Sequence, residues 1–232
     1  MDSPTKTPCL YIIATPIGNL KDITYRAVET LKNCDLVLAE DTRKAKILFH
    51  KYDIHTPLKS FRVHQIQKDI EFAIEEIQNK KVLGFITDAG TPGISDPGSH
   101  LVREIREKFP EIPVLPIPGP SSLSTILSVS GWQNHPLLFL GFLSPKNHKR
   151  KMVLKKYSTF EGSILLFEAV HRIEKLLLEI EEFFPERKIL VGREMTKKFE
   201  QYLVFPLNSL KKILESIPKK GEFTILIAPK EV

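Results

Sequence analysis

Short apolar runs alternate with amphipathic segments through the first half of the chain, and this pattern is typical of βα units. The apolar runs predict strands over residues 10–14, 35–39, 58–61, 82–86 and 113–117. The amphipathic segments predict helices over 23–33, 42–52, 66–79 and 99–108, and Thr42 is a plausible N-cap of the second helix. A strict alternation of strand and helix predicts a mostly parallel sheet flanked by helices.

The second half follows a different pattern, in which strands follow one another without long crossovers. Proline and glycine at 118–120 punctuate the chain, so we predict two α/β domains over residues 1–117 and 118–232. The second domain is expected to hold strands over 137–142, 163–167, 188–193, 201–205 and 223–228. Helices are expected over 121–130, 172–184 and 207–217, with another that follows the lysine-rich segment and ends near Tyr157. This order predicts a mixed sheet.

Composition excludes several classes of protein. Two cysteines among 232 residues, Cys9 and Cys34, are too few for a disulfide framework, and we expect a cytoplasmic protein in a reducing compartment. Residues 1–8 lack the apolar core of a signal peptide, and no run approaches the roughly 18 apolar residues of a membrane span. The seven histidines show no ligand spacing such as HExxH, so no metal site is predicted.

Charge is distributed unevenly along the chain, whose formal net charge is +6. Residues 112–145 contain no Asp, Glu, Lys or Arg, which favours a domain core and a dimer surface. The next eleven residues, 146–156, carry six basic residues and no acid. We predict that Lys146, Lys149, Arg150 and Lys151 contact RNA phosphates, the alternative being a solvated helix face.

The segment ITDAGTPGISDPG at 86–98 follows a predicted strand and is rich in residues that shape the backbone. It contains no lysine, and it matches neither the G-x-G-x-x-G nor the G-x-x-x-x-G-K-[ST] phosphate motif. A ligand at this strand end would therefore be held by shape and by backbone groups, with glycine permitting close approach. The alternative is an irregular turn whose aspartates serve as caps.

Seven motifs in order along the chain carry a family resemblance. They are TPIGNL at 15–20 with DIT at 22–24, AEDTR at 39–43, DAGTP at 88–92 with ISDPG at 94–98, PGPS at 118–121, EAVHR at 168–172, REMTK at 193–197 and KGE at 220–222. The pattern resembles the ribosomal RNA small subunit methyltransferase I family, the 16S cytidine-2'-O-methyltransferases of the tetrapyrrole-methylase-like superfamily. The resemblance extends from about residue 10 to residue 228.

The resemblance implies a two-domain class III methyltransferase fold with S-adenosylmethionine in a cleft between the domains, and a homodimer. It implies as substrate the ribose 2'-hydroxyl of a cytidine in the decoding region, presented by small-subunit ribosomal RNA or by the 30S subunit, with no membrane partner. Two alternatives stay open. One is a methyltransferase of the same fold that acts on a tetrapyrrole or corrin precursor, and the other is an RNA-binding protein without activity.

The resemblance also implies which residues line the cofactor site. Asp88 and the backbone of 89–94 are expected to bind S-adenosylmethionine, and the loop that holds Pro16 is expected near the reacting methyl group or the substrate. The structural alternatives are that Asp88 caps a turn and that Ser121 and Ser122 are N-caps of the helix that follows. The full predicted set is Pro16, Asp88, Ala89, Gly90, Thr91, Ile94, Ser121, Ser122, Phe167 and Glu222.

A ribose hydroxyl is a poor nucleophile, so a proton acceptor is expected in the site. Asp41, Glu168 and Glu194 are candidates, together with Glu40, and the sequence does not separate these four. Two arginines add to the predicted RNA contacts. Arg172 lies in the EAVHR motif, and Arg43 could hold a phosphate or simply pair with Asp41.

Overall fold

The computed structural model describes residues 7–210, 214, 218 and 220–230. The chain forms two compact units, Met1–Ser121 and Ser122–Val232.

The first unit is built on a five-stranded sheet in the order β3-β2-β4-β1-β5, and every neighbouring pair is parallel. Its strands are β1 (Cys9–Ile13), β2 (Leu36–Ala39), β3 (Leu58–Ser60), β4 (Val82–Ile86) and β5 (Val114–Ile117). The helices are α1 (Tyr25–Asn33), α2 (Thr42–Lys51), α3 (Ile66–Gln78) and α4 (Gly98–Lys108). Every residue of β2 and of β4 is buried, as expected for strands covered on both faces.

The start of α2 corrects one prediction. Asp41, rather than Thr42, is the N-cap, and its side chain accepts a hydrogen bond from the Arg43 amide over 2.9 Å. Thr42 already belongs to the first turn of the helix. Asp41, one residue before the predicted cap, therefore satisfies the Arg43 amide, and its negative charge is favourable at a helix N-terminus.

The second unit contains a mixed sheet in the order β6-β7-β10-β8-β9, in which only the β6–β7 pair is parallel. Its strands are β6 (Leu137–Phe142), β7 (Ser163–Ala169), β8 (Lys188–Arg193), β9 (Gln201–Pro206) and β10 (Glu222–Ile227). The helices are α5 (Ser122–Ser128), α6 (Asn147–Tyr157) and α7 (Ile173–Phe183). A 3-10 turn, Leu207–Ser209, begins where the sequence predicts a helix over 207–217, and most of that prediction lies outside the described residues.

Each unit has its own apolar core. In the first unit, one cluster around Ile13 and Leu31 and another around Leu83 and Leu101 pack against the sheet. In the second unit a single cluster surrounds Leu166 and Leu177. Within the ranges described, no helix has the length and apolar character needed to cross a membrane.

Candidate functional site

The four strands β2, β4, β1 and β5 end at the same edge of the first sheet, because they are parallel neighbours. We call the segments that follow them, 14–20, 40–41, 87–97 and 118–121, the first-sheet edge. The sheet order places the loop after β4 between the segments that follow β2 and β1. Ligands of open α/β sheets bind outside such carboxyl ends, so this is where a site is expected.

Backbone and hydroxyl groups join these segments into one structure. Thr15 and Gly90 form an isolated antiparallel bridge, with N–O distances of 3.0 and 3.1 Å. The Thr15 hydroxyl also donates to the Thr87 carbonyl over 3.2 Å, and the Thr91 hydroxyl donates to the Pro120 carbonyl over 3.1 Å. The loop after β4 is thereby fixed to the loops that follow β1 and β5.

Gly90 occupies a position that favours glycine. Its φ is +80°, a left-handed conformation, and a Cβ atom there would lie 3.1 Å from Ile17 Cγ2 and 3.6 Å from the Pro120 carbonyl oxygen. Gly90 and Pro16 are buried, whereas Ala89 is exposed. Among the other predicted cofactor residues of this unit, Asp88, Thr91, Ile94 and Ser121 are half-buried.

The two aspartates of the loop have separate structural tasks. Asp96 accepts hydrogen bonds from the amides of Gly93, Ile94 and Gly98 at 2.7, 3.2 and 2.8 Å, so it fixes the bend of the loop. Asp88 reaches the segment after β2, where it accepts from the Asp41 amide at 3.0 Å and from Lys44 Nζ at 2.7 Å. Asp88 therefore connects the loop after β4 to the N-terminus of α2.

Asp41 is fully engaged by Arg43. Besides the backbone amide, the Arg43 Nε donates to Asp41 Oδ1 over 3.0 Å and Nη2 donates to Oδ2 over 2.7 Å. These hydrogen bonds hold the pKa of Asp41 well below its usual range. The Arg43 guanidinium is nevertheless 88% exposed, which leaves it open to a further anion.

Glu40 is the neighbouring carboxyl with a different environment. It is half-buried, and its Oε2 lies 3.5 Å from the Asp88 amide nitrogen, a long contact. Burial and the nearby negative charge of Asp88 raise its pKa above that of an ordinary glutamate.

In the second unit, β7 and β8 end and β10 begins at one edge of the sheet, because β10 is antiparallel to both neighbours. Glu194 follows β8 with a φ of +49°, which is unusual for a residue with a side chain. Its Oε1 accepts from Lys197 Nζ at 2.9 Å and from the Glu222 amide at 3.0 Å. Burial opposes ionisation, but these hydrogen bonds outweigh it and lower the pKa of Glu194. Lys197 Nζ also donates a hydrogen bond to Glu222 Oε2 over 3.0 Å.

Glu168 lies at the end of β7 with a fully buried side chain. Its Oε1 accepts from its neighbour's amide, Ala169 N, at 2.8 Å and from Arg172 Nη2 at 2.6 Å. Its Oε2 and the Nε of Arg172 are buried without a hydrogen-bond partner. The Glu168–Arg172 pair is thus a strongly desolvated ion pair with one acceptor and one donor left over. The preceding residue, Phe167, packs edge-on against Phe139.

The basic segment forms α6, and its residues separate into two groups. Lys146 and Lys149 are exposed, while Lys151 pairs with Glu182 on α7 at 2.5 Å. Arg150 is only 2% exposed, and its guanidinium binds the Glu179 carboxylate. Arg150 is therefore a core residue, and it lies one helical turn before the buried Leu154. That i, i+4 spacing was the sequence signal for its inward position.

A cavity of about 470 Å³ opens at the opposite end of the first sheet, near the first residues of β1 and β4. Cys9 and Val82 line it together with Thr30 and Asn33 of α1. None of the predicted site residues lines this cavity. Over the ranges that the structure covers, no cluster of three His, Cys, Asp or Glu side chains could hold a metal ion.

Comparisons with known proteins agree with the motifs. Residues 9–211 match the family described as Tetrapyrrole (Corrin/Porphyrin) Methylases. A ribosomal RNA small subunit methyltransferase I from Leptospira biflexa is 42% identical over 219 residues, which cover 94% of this chain and 90% of that protein. A protein of the same name from Borrelia garinii is 44% identical over 223 residues, covering 94% and 98% respectively.

The fold also resembles solved structures at much lower sequence identity. One is a uroporphyrin-III C-methyltransferase from Thermus thermophilus, solved in complex with S-adenyl homocysteine. It is 13% identical, has a TM-score of 0.66, and the match covers 95% of this chain and 97% of that one. Together with the parallel and mixed sheets, this likeness confirms the fold class predicted from the sequence.

Proposed function

We propose that this chain methylates the ribose 2'-hydroxyl of a cytidine, because it belongs to the ribosomal RNA small subunit methyltransferase I family of the tetrapyrrole methylases. The proposed cytidine lies in the decoding region of small-subunit ribosomal RNA, and the methyl donor is S-adenosylmethionine. The observation that carries the proposal is the first-sheet edge, where four of the seven family motifs, at 15–20, 39–43, 88–92 and 118–121, are joined by hydrogen bonds. The substrate also favours a cytoplasmic enzyme that acts on the 30S subunit.

The first-sheet edge fits this donor in its chemistry. S-adenosylmethionine has no phosphate, and the loop after β4 offers glycine, hydroxyls and backbone groups but no lysine. Gly90 has a left-handed φ of +80°, which favours glycine, and its missing side chain lets the backbone of the loop pack close to Ile17. When bound, the donor supplies an electrophilic methyl carbon on a sulfonium. Residues of the first unit proposed to hold it are Pro16, Asp88, Ala89, Gly90, Thr91, Ile94 and Ser121. Ser122, Phe167 and Glu222 belong to the second unit, and their role in binding the donor stays a prediction.

The decisive test is methyl transfer from labelled S-adenosylmethionine to small ribosomal subunits that lack the modification, followed by mapping of the methylated nucleotide. We expect one cytidine of the decoding region to be labelled on its ribose. Label on a base would exclude ribose methylation. Label only on a tetrapyrrole offered in parallel would favour the small-molecule alternative, and no binding of the donor in calorimetry would favour a protein without activity.

The RNA contacts are proposed for the exposed residues of α6 and for Arg43. Lys146 and Lys149 are exposed, and Lys151 is partly so. Arg150 no longer belongs to this surface because its charge is buried against Glu179. Arg172 is a weaker candidate than the lysines, since its guanidinium is 21% exposed and already paired.

Changing Lys146 and Lys149 together to alanine should weaken RNA binding and make it less sensitive to salt. Every phosphate that the protein ceases to neutralise should reduce the slope of log K against log salt by roughly 0.7–0.9. Binding of a 30S-derived RNA over a range of salt concentrations measures this slope. Lys51 and Lys68, two exposed lysines of α2 and α3, form the matched control pair. An equal change in slope for both pairs would point to net charge rather than to a defined surface.

A homodimer is proposed from the uncharged segment 112–145. Three large apolar residues in it stay exposed in the chain, Leu115 at 40%, Val129 at 49% and Phe142 at 55%. Light scattering at micromolar concentration should report a mass of twice 26.5 kDa. A clean monomer under these conditions would remove the dimer from the proposal.

A further inference from the structure

The four candidate proton acceptors are the carboxyl groups of Glu40, Asp41, Glu168 and Glu194. They differ in how strongly neighbouring cations and hydrogen-bond donors already hold them. Both oxygens of Asp41 are held by Arg43. Glu194 binds Lys197 and a backbone amide, and Glu168 is fully buried against Arg172. Ion pairing lowers the pKa of Asp41 and Glu194 and makes each a weak base, because protonation must break the ion pair.

Glu40 is the exception among the four. Within the described part of the chain, no lysine or arginine lies at ion-pairing distance from it, and the hydrogen bond that its carboxylate accepts is the long one from the Asp88 amide. It is half-buried rather than enclosed, so a substrate hydroxyl can reach it. Of the four carboxyls it is therefore the one that is neither ion-paired nor fully buried.

Glu40 is also placed where the proposed donor binds. It directly follows Ala39, the last residue of β2, which is paired with Ile86 at the end of β4. The loop after β4 begins at the next residue, and its Asp88 lies beside Glu40. The carboxyl thus lies in the first-sheet edge itself, on the same unit as Gly90 and the loop that holds Pro16.

We propose that Glu40 is the catalytic base that accepts the proton of the ribose 2'-hydroxyl. This inference rests on the proposed function. As the 2'-oxygen forms its bond to the methyl carbon, the carbon–sulfur bond breaks and its electron pair stays on sulfur. The hydroxyl proton passes to the Glu40 carboxylate. A carboxylate, a neutral alcohol and a sulfonium cation become a carboxylic acid, a methyl ether and a neutral thioether, so charge and atoms balance.

The surroundings of Glu40 suit a base better than those of an exposed carboxylate. Three charged groups act on it besides its own burial: Asp88 and Asp96 from the loop after β4, and Lys44 from α2. Burial and the charges of the two aspartates raise its pKa, and the hydrogen bond from the Asp88 amide and the charge of Lys44 lower it by less. A carboxylate with a raised pKa holds the transferred proton more tightly, which favours proton removal in the transition state.

The test compares wild-type protein with Glu40→Gln in single-turnover methylation of small subunits from pH 5 to pH 9. Glutamine keeps the size of the side chain and an oxygen for the Asp88 amide. We expect the single-turnover rate constant to fall by roughly 10²–10⁴-fold. In wild-type protein the rate should fall as pH drops through the Glu40 pKa, at a higher pH than for an exposed glutamate, and this limb should vanish in the variant. Glu75→Gln, an exposed change on α3, is the matched control.

A second readout does not depend on turnover. In protein labelled with ¹³C at the glutamate carboxyls, one resonance should titrate above the others and be missing from the Glu40→Gln spectrum. Donor affinity by calorimetry and the thermal midpoint should match wild type. Activity within threefold of wild type, or a parallel loss of donor affinity, would overturn the role as base. If wild-type protein itself methylates no ribose, the proposed function fails, and with it the role of Glu40 as a base. The titration distinguishes this case, because it still shows whether the pKa of the Glu40 carboxyl is raised.

Discussion

Replacing Glu179 by alanine is expected to lower the free energy of unfolding of the second unit by about 3–5 kcal/mol. Glu179 lies on α7, is 4% exposed, and binds Arg150 of α6 through two hydrogen bonds, one of them Nη2–Oε1 at 2.6 Å. Removing the carboxylate leaves a guanidinium that cannot lose its proton buried without a counter-charge.

The remaining partners of Arg150 cannot compensate for that loss. Its Nη1 donates to the carbonyls of Ser144 and Pro145 at 3.1 and 3.2 Å, and these neutral acceptors already belong to the native arrangement. The damage should extend to the packing of α6 on α7, because Arg150 lies beside Leu154 in the core of the unit. Urea unfolding followed by circular dichroism measures the effect.

Glu182→Ala is the matched control. Glu182 lies on α7 as Glu179 does, and it also pairs with a basic residue of α6, Lys151. The Lys151–Glu182 pair is 2.5 Å long but its side chains are 38% and 51% exposed, so it should contribute at most about 1 kcal/mol. Equal losses for the two variants would show that the buried pair is no more important than the exposed one.

The elements were predictable because buried strands and amphipathic helices leave strong patterns. The limits of β4 and β8 agree with the sequence at both ends, since each is a short apolar run bounded by polar or turn residues. Helix ends were less certain, as at α2, where Asp41 and Thr42 are both good caps and differ only in local geometry. Which strands pair, and in what order, depends on contacts far apart in sequence that a local pattern does not contain.

The position of the candidate site was predictable, but the state of its charged groups was not. Loops after parallel strands meet at one edge, so the grouping of Pro16 with Asp88 and Gly90 follows from topology. Whether a carboxyl is free depends on side-chain geometry, which is why Asp41 and Glu40, adjacent in sequence, differ so much. Arg150 shows the same limit, since a basic run indicates an exposed surface and does not reveal which member meets a buried acid.

Gly90→Ala is expected to weaken binding of S-adenosylmethionine at least tenfold and to destabilise the first unit. A left-handed alanine costs roughly 1–3 kcal/mol, and its Cβ would stand 3.1 Å from Ile17 Cγ2. Ile17 Cγ2 must then give by a few tenths of an ångström, and we expect the Thr15–Gly90 bridge, which joins two loops of the first-sheet edge, to shift as well. A displacement that removes about 1.4 kcal/mol of binding free energy already gives the tenfold loss. Titration calorimetry with S-adenosylmethionine and thermal unfolding measure the two effects.

Gly131→Ala separates backbone strain from the packing at the first-sheet edge. Gly131 has a similar left-handed φ of +69°, lies in the second unit after α5, and has no atom within 4 Å of where its Cβ would be. This variant should lose stability through strain alone and bind the donor as wild type does. If both alanine variants lose stability equally and both keep donor affinity, close packing at Gly90 is unimportant.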